Sequence, residues 1–364
     1  MYDSTGRLAQ SELFTSCSTL VSDTTYGYTW SNCSGHSVPN VYTYDNEGNR
    51  TSQGGTYDTG NRVLTSNGFT YTHDLDGNII RKYNSSTGED SRYTWSADGR
   101  LTDVYYNDGQ GDSPLTTHYD YNAYGEPVLR SLDSSLDRVW VYDRDQLLGE
   151  FNAANGEQRV AEYLYNPGVD SPYGVITGAT TPTRIDYLKL DERGSVLGAY
   201  DGTTISMTVN YDDWGVPGVG VGQVGNLLWK SLHRDEYTGL YYARARWYDP
   251  SLGRFMSEDP AGFDGGVNPY TFADNDPING VDPSGMNWSI FSFGKNLFGE
   301  IGKAVGGNVG GLVGEILNLF QPSKIPSVHP TFGVGPNSNN PLMFAQGKGE
   351  RGQTSKPNNP TKGV

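Results

Sequence analysis

The chain of 364 residues contains only two cysteines, Cys17 and Cys33, and five scattered histidines. With no Cys-x-x-Cys pair and no His–Cys grouping, no zinc or other metal site is expected, and nothing in the sequence calls for a cofactor. The two cysteines are either paired or both free, and the sequence leaves both open. Charge is also scarce, at 19% Asp, Glu, Lys and Arg. The first ten residues, MYDSTGRLAQ, lack the basic and apolar regions of a cleavable signal peptide. No apolar run of about 20 residues is free of charged or polar interruption, as a spanning helix requires.

What the chain does have is glycine and tyrosine, 48 and 26 residues, within an aromatic share of 12%. That suits a turn-dense, all-β structure better than a helical globule. So many aromatics also argue against disorder over residues 1–286. The formal net charge is −16, made of −20 over residues 1–286 and +4 over the remainder. An acidic body is a poor nucleic-acid binder, so no nucleic acid is expected on it. The basic tail suits a solvated linker first, and otherwise nucleic acid, an anionic membrane or the acidic body itself.

A short unit recurs along the chain. It reads Tyr44-Asp45-Asn46-Glu47-Gly48-Asn49-Arg50, then Tyr57-Asp58-Thr59-Gly60-Asn61-Arg62, Asp74-Leu75-Asp76-Gly77-Asn78 and Trp95-Ser96-Ala97-Asp98-Gly99-Arg100. Looser copies start at Tyr121 and Tyr211, and Tyr2-Asp3-Ser4-Thr5-Gly6-Arg7 is another. The chain thus opens inside a repeat, as a fragment of a longer array would. In each copy an aromatic ends a strand, Asp or Asn opens a turn, and Gly takes the positive-φ position. Alternation such as Phe69-Thr70-Tyr71-Thr72-His73 puts aromatics on one face. One hairpin buries too little alone, so the units are expected to stack into a curled sheet whose aromatic face is covered.

Near the end stand two Asp-Pro-x-Gly-apolar boxes, Asp259-Pro260-Ala261-Gly262-Phe263 and Asp282-Pro283-Ser284-Gly285-Met286, with Arg246 upstream. Taken singly, such a box is a good turn sequence: Asp accepts from the backbone, Pro fixes φ and Gly eases the exit. Taken as a pair, two carboxyls brought together can share a proton and hydrolyse a peptide bond. Other candidates are weaker. Glu258 alternates away from Asp259 on an extended chain. His233, beside Arg234, Asp235 and Glu236, reads as part of a surface ion-pair cluster. Ser195 lacks the Gly-x-Ser-x-Gly elbow. The Asp74–Asn78 stretch lacks the distal Glu of a calcium loop.

The repeats resemble the YD repeats of the RHS family, found in bacterial RHS effectors, the C component of Tc toxins and the animal teneurins. The ordered set Tyr241–Pro250, Gly253-Arg254-Phe255, Asp259-Pro260, Gly265–Tyr270 and Asp282–Gly285 looks like the RHS repeat-associated core segment. The resemblance implies a partial β-cocoon shell over 1–240 and a core segment with its cleavage boxes over 241–286. It implies intramolecular aspartyl cleavage by Asp259 and Asp282, supported by Arg246, at the Met286–Asn287 bond. Family members mostly carry Leu at the cut position, and Met is close to it in volume. It implies a secreted or cell-surface protein that encloses its own C-terminal segment as cargo. An immunity protein and a secretion-system component are the further implied partners. The alternative is a non-catalytic surface or adhesion protein whose hairpins bind glycans or a protein partner.

Past Met286 the pattern changes. Apolar residues at 297, 301, 305, 309, 312, 316 and 319 advance by three or four, which predicts a glycine-rich helical connector or pre-toxin region over 287–320. Its small residues also suit membrane contact. Residues 321–364, rich in proline, glycine and basic residues, read as a disordered tail, and the resemblance implies that the opening of a toxin domain lies there.

Overall fold

A computed structural model describes residues 2–11, 40–153, 158–167, 170–178, 184–218 and 220–286, together with the backbone of the strands Phe14–Asp23 and Gly27–His36. Among the described residues the regular structure is strand, apart from four short 3-10 turns. Fifteen antiparallel strands, from Thr56–Tyr57 to Ile205–Thr208, pair strictly in sequence order and form one sheet whose two edges do not meet. The Phe14–Asp23 and Gly27–His36 hairpin stands apart, and its register sets Cys17 opposite Cys33. The expected helix over 287–320 and the tail over 321–364 lie outside the described residues.

The repeat unit makes one recurrent turn. Asp45, Asp74, Asp191 and Asp212 each receive the backbone N–H four residues on through Oδ1. Their own N–H groups donate to the carbonyl of that same residue. The glycine three residues on takes positive φ, from 80° to 94° at Gly48, Gly77, Gly194 and Gly215. This is the Asp-opened, Gly-closed turn expected from the sequence. The copy at Asp58 differs: its glycine falls one position early, and Asn61 takes the positive φ of 63° instead.

At five of the repeat turns the aromatic before the turn bonds back to the preceding repeat, whereas His73, before the Asp74 turn, makes no such bond. The hydroxyls of Tyr44, Tyr57, Tyr121 and Tyr211 donate to the carbonyls of Leu8, Arg50, Leu101 and Val196 at 2.6–2.8 Å. Trp95 Nε1 donates to Ile79 O in the same way at 2.8 Å. Each acceptor lies five residues after the residue that opened the earlier turn. A ring buried on the sheet therefore also satisfies a carbonyl that the ladder leaves over at the turn.

The aromatic face is covered by the chain's own later residues, Val224 onward, which share one hydrophobic core with the sheet. Tyr119 packs on Trp247 with ring centroids 5.0 Å apart. Ile79 N–H donates to Met256 O, and Val196 N–H to Leu228 O. Tyr242 and Tyr270 reach the glycine carbonyls of two sheet turns, Gly125 and Gly77.

Charge is buried at this contact, and here His233 departs from expectation. It is not on the surface: it is buried edge-on against Trp140, with Nε2 3.7 Å from Glu150. Asp235 is buried with it and pairs with Arg130 at 2.7 Å. The local run His-Arg-Asp-Glu looked solvated because the partners that bury it, Arg130 and Glu150, are supplied by distant strands.

Glu150 is fully buried and accepts from Asn226 Nδ2 at 2.8 Å, from Trp140 Nε1 at 3.3 Å and from the Tyr163 hydroxyl. Burial pushes its pKa up, but His233, Tyr163 and Asn226 win and hold it at about 2. Its contribution to stability is therefore present above the ordinary glutamate range and is lost as pH falls through about 2. Glu150→Ala strands three buried donors and is expected to cost on the order of 3–5 kcal/mol. Urea unfolding at neutral pH, followed by tryptophan fluorescence, measures it.

Candidate active site

Both Asp-Pro-x-Gly boxes fold as turns. Gly262 N–H donates to Asp259 O at 2.9 Å, and Gly285 N–H to Asp282 O at 3.4 Å, with φ of 62° and 65° at the two glycines. Within each box the aspartate also caps its own turn. Asp259 Oδ1 accepts from Ala261 N–H at 2.8 Å, and Asp282 Oδ1 from Ser284 Oγ at 3.2 Å. The local turn chemistry thus orients each carboxylate and leaves its other oxygen free to face outward from the turn.

Those other oxygens converge on one arginine. Arg246 begins the strand Arg246–Asp249, just after a two-residue turn from the strand Tyr241–Ala243. Its Nη2 lies 2.8 Å from Asp259 Oδ2 and 3.5 Å from Asp282 Oδ2. All three side chains are buried, with exposures of 2%, 4% and 2% for Arg246, Asp259 and Asp282. Nη1 donates to Pro269 O at 2.7 Å, Nε donates to Gly285 O, and the guanidinium carbon sits 3.6 Å from the Phe255 ring centroid.

The electrostatics follow from this packing. Burial pulls the Arg246 pKa down to about 10 against the pull of both carboxylates. Burial raises the pKa of Asp259; Arg246 opposes the shift and the charge of Asp282 adds to it. Asp259 therefore keeps its proton to a higher pH than an ordinary aspartate.

The second box lies along the turn that carries Arg246, and three successive residues hold three successive carbonyls. Arg244 donates through Nη1 to Pro283 O, Ala245 N–H donates to Ser284 O at 3.1 Å, and Arg246 Nε donates to Gly285 O. The next carbonyl, that of Met286, falls beside the acids. A Cβ added to Gly265 would lie 2.3 Å from Asp259 Oδ2 and 3.2 Å from Met286 O. The carboxyl and the carbonyl thus both pack against residue 265, and the Asp259 carboxyl comes so close that any side chain there would displace it. Asn287, on the far side of the bond, is outside the described residues.

The structure therefore brings Arg246, Asp259, Asp282 and Met286 together. Glu258 points elsewhere, exposed and accepting from Tyr270 at 3.2 Å. Ser195 and Asp74 serve repeat turns. Sequence reading missed Arg244, Gly265 and Phe255. Arg244 had a visible signal, since Ala243-Arg244-Ala245-Arg246 presents two arginines in alternation. Gly265 had none, because its role is set by atoms of two other loops.

With Arg246 removed, two buried carboxylates would face each other without a cation. Arg246→Ala is expected to destabilise the chain by about 3–5 kcal/mol at neutral pH. Acidification to about pH 5 should recover part of the loss by protonating Asp259, whose pKa burial already raises. Urea midpoints at the two pH values test both statements.

Comparison with known proteins gives a family-model match, described as Teneurin YD-shell, over residues 1–278. The match takes in Arg246 and Asp259 and stops before Asp282. Double-stranded DNA deaminase toxin A of Burkholderia cenocepacia is 26% identical over 315 residues, covering 74% of this chain and 21% of that protein. The tRNA3(Ser)-specific nuclease WapA of Bacillus spizizenii is 28% identical over 269 residues, 70% of this chain and 11% of that protein. The chain thus spans about a fifth or less of the length of these relatives. Among solved structures, a TcdB2-TccC3-Cdc42 crystal structure matches at 18% identity with a TM-score of 0.45, covering 82% of this chain and 16% of that one.

Proposed function

Because the chain belongs to the Teneurin YD-shell family, we propose that it is a shell portion that encloses a C-terminal cargo and frees it by cutting itself once, after Met286. The observation that carries this reading is the three-carbonyl clamp, which ends one residue short of the acids and leaves Met286 O facing Asp259. The relatives named as a deaminase toxin and a nuclease support cargo of a toxic kind. An immunity protein and a secretion-system component are the partners that follow, and export to the cell surface or beyond is the matching location.

The chemistry uses the asymmetry of the pair. Asp282, ionised, takes a proton from a water molecule as the water oxygen attacks the Met286 carbonyl carbon. Asp259, whose proton is retained by burial and by its neighbour's charge, gives that proton to Met286 O. The resulting gem-diol collapses and the C–N bond breaks. As it collapses, one hydroxyl returns its proton to Asp259 and the proton taken by Asp282 passes to the leaving nitrogen, giving a carboxylic acid at Met286 and an amine at Asn287, which then exchange one proton to become carboxylate and ammonium. Arg246 holds both acids and the substrate strand at once. The bond to be cut is part of the same chain, so no binding step is needed, and a single turnover completes the task.

The freshly made chain is expected to yield a fragment beginning at Asn287 by intact mass, which also separates this cut from acid-labile breakage at Asp282–Pro283. Asp259→Asn and Asp282→Asn should each stay whole, and continued cutting after Met286 in either would overturn the assignment. The rate should fall on the alkaline side as Asp259 loses its raised-pKa proton. Gly265→Ala should also block cutting. Gly265 does not have the left-handed φ that would strain alanine, so the added methyl acts by colliding with the Asp259 carboxyl and displacing it.

A further inference from the structure

The clamp on the second box does not end at Arg246. Arg244 is the first residue of the turn between the strands Tyr241–Ala243 and Arg246–Asp249, and its φ is 56°. A residue with a Cβ enters that region at a cost of roughly 1–2 kcal/mol, and glycine or asparagine would occupy it more cheaply. The strain is offset by what the guanidinium reaches. Nη1 and Nη2 form a fork onto Asp170 at 3.1 and 2.6 Å, and Nη2 also donates to Asp145 O at 2.9 Å. Nη1 in addition holds Pro283 O. Asp145 lies in the turn between the strands Ser135–Asp143 and Gln146–Asn152, and Asp170 precedes the strand Pro172–Thr177. One side chain thus ties the second box to two separate turns of the fifteen-stranded sheet, 99 and 74 positions earlier in the chain. Neither Arg244 nor Asp170 touches the acid pair in any of these contacts.

We propose that Arg244, anchored by Asp170, is a positioning residue that makes cleavage conditional on assembly of the sheet around residues 145–170. The inference rests on the self-cleavage reading above. Before those turns form, Arg244 has no anchor and Pro283 O has no fixed donor. The box is then free to slide along Ala245 and Arg246. A slip of one residue would present the Gly285 carbonyl to Asp259 in place of that of Met286. Misplacement of a reacting group by about 1 Å costs on the order of a hundredfold in rate, so an incomplete wall is a poor cutter. The cargo is released only once the wall that must hold it exists.

The test is made on the full chain produced by cell-free translation, with the cut fraction followed by mass after synthesis is stopped. Asp170→Asn is expected to slow cleavage about ten- to a hundredfold. Arg244→Lys, which keeps the charge and loses the fork, should do the same. Asp170→Glu, which restores a carboxylate, should recover part of the rate. The pH profile should keep its shape in all three, because Asp259 and Asp282 are untouched. Urea midpoints measured for the same changes in an uncut Asp259→Asn background should stay near that background's own. Cleavage at the wild-type rate in both Asp170→Asn and Arg244→Lys overturns the inference, as does a slowing that tracks a lowered urea midpoint or a displaced pH profile. A wild-type chain that never cuts counts instead against the self-cleavage reading itself.

Discussion

A sheet of consecutive hairpins has one apolar face, and that face must be covered. In this protein the cover is the stretch from Val224 to Met286, which packs on the sheet through Trp247, His233, Tyr242 and Tyr270. Everything notable about the second half of the chain follows from that constraint. The covering stretch carries the paired aspartates, so they are desolvated by the same packing that completes the core. The carboxylates and arginines that would be expensive alone are placed where each finds a partner: Asp235 with Arg130, Glu150 with Asn226 and Tyr163, and Asp259 and Asp282 with Arg246.

Arg246 shows how much one planar cation can organise when it is buried. Its three nitrogens meet two acids and two backbone carbonyls, so charge placement and strand register are fixed by the same group. A lysine could neutralise the acids but could not hold Gly285 O and Pro269 O in the same plane. The clamp made by residues 244–246 fixes the register of the second box, because three consecutive donors take three consecutive carbonyls and the fourth lies with Asp259 against Gly265.

Much of this was legible in advance where the physics is local. The repeat turn is written into five residues, so its Asp opener, its positive-φ glycine and its preceding aromatic could all be read from the chain. The alternation of Phe69, Tyr71 and His73 likewise predicted the buried face. The pairing of Asp259 with Asp282 was readable only through family resemblance, because a separation of 23 positions says nothing about their meeting in space. His233 was misread because its charged neighbours in sequence suggested water, whereas its neighbours in space are Trp140 and Glu150. Gly265 and the reach of Arg244 to Asp170 were invisible for the same reason: each is defined by atoms contributed from several distant turns.

The back-bonding aromatics carry a consequence of their own. A unit whose turn follows Tyr or Trp in this way brings a donor for the unit before it and an acceptor carbonyl for a unit after it. A copy inserted between two units of this kind finds an acceptor on one side and a donor on the other. An array built this way can lengthen or shorten by gene duplication and loss without redesigning any contact. The extent of the sheet can then evolve as a quantity separate from the buried Arg246 cluster that follows it.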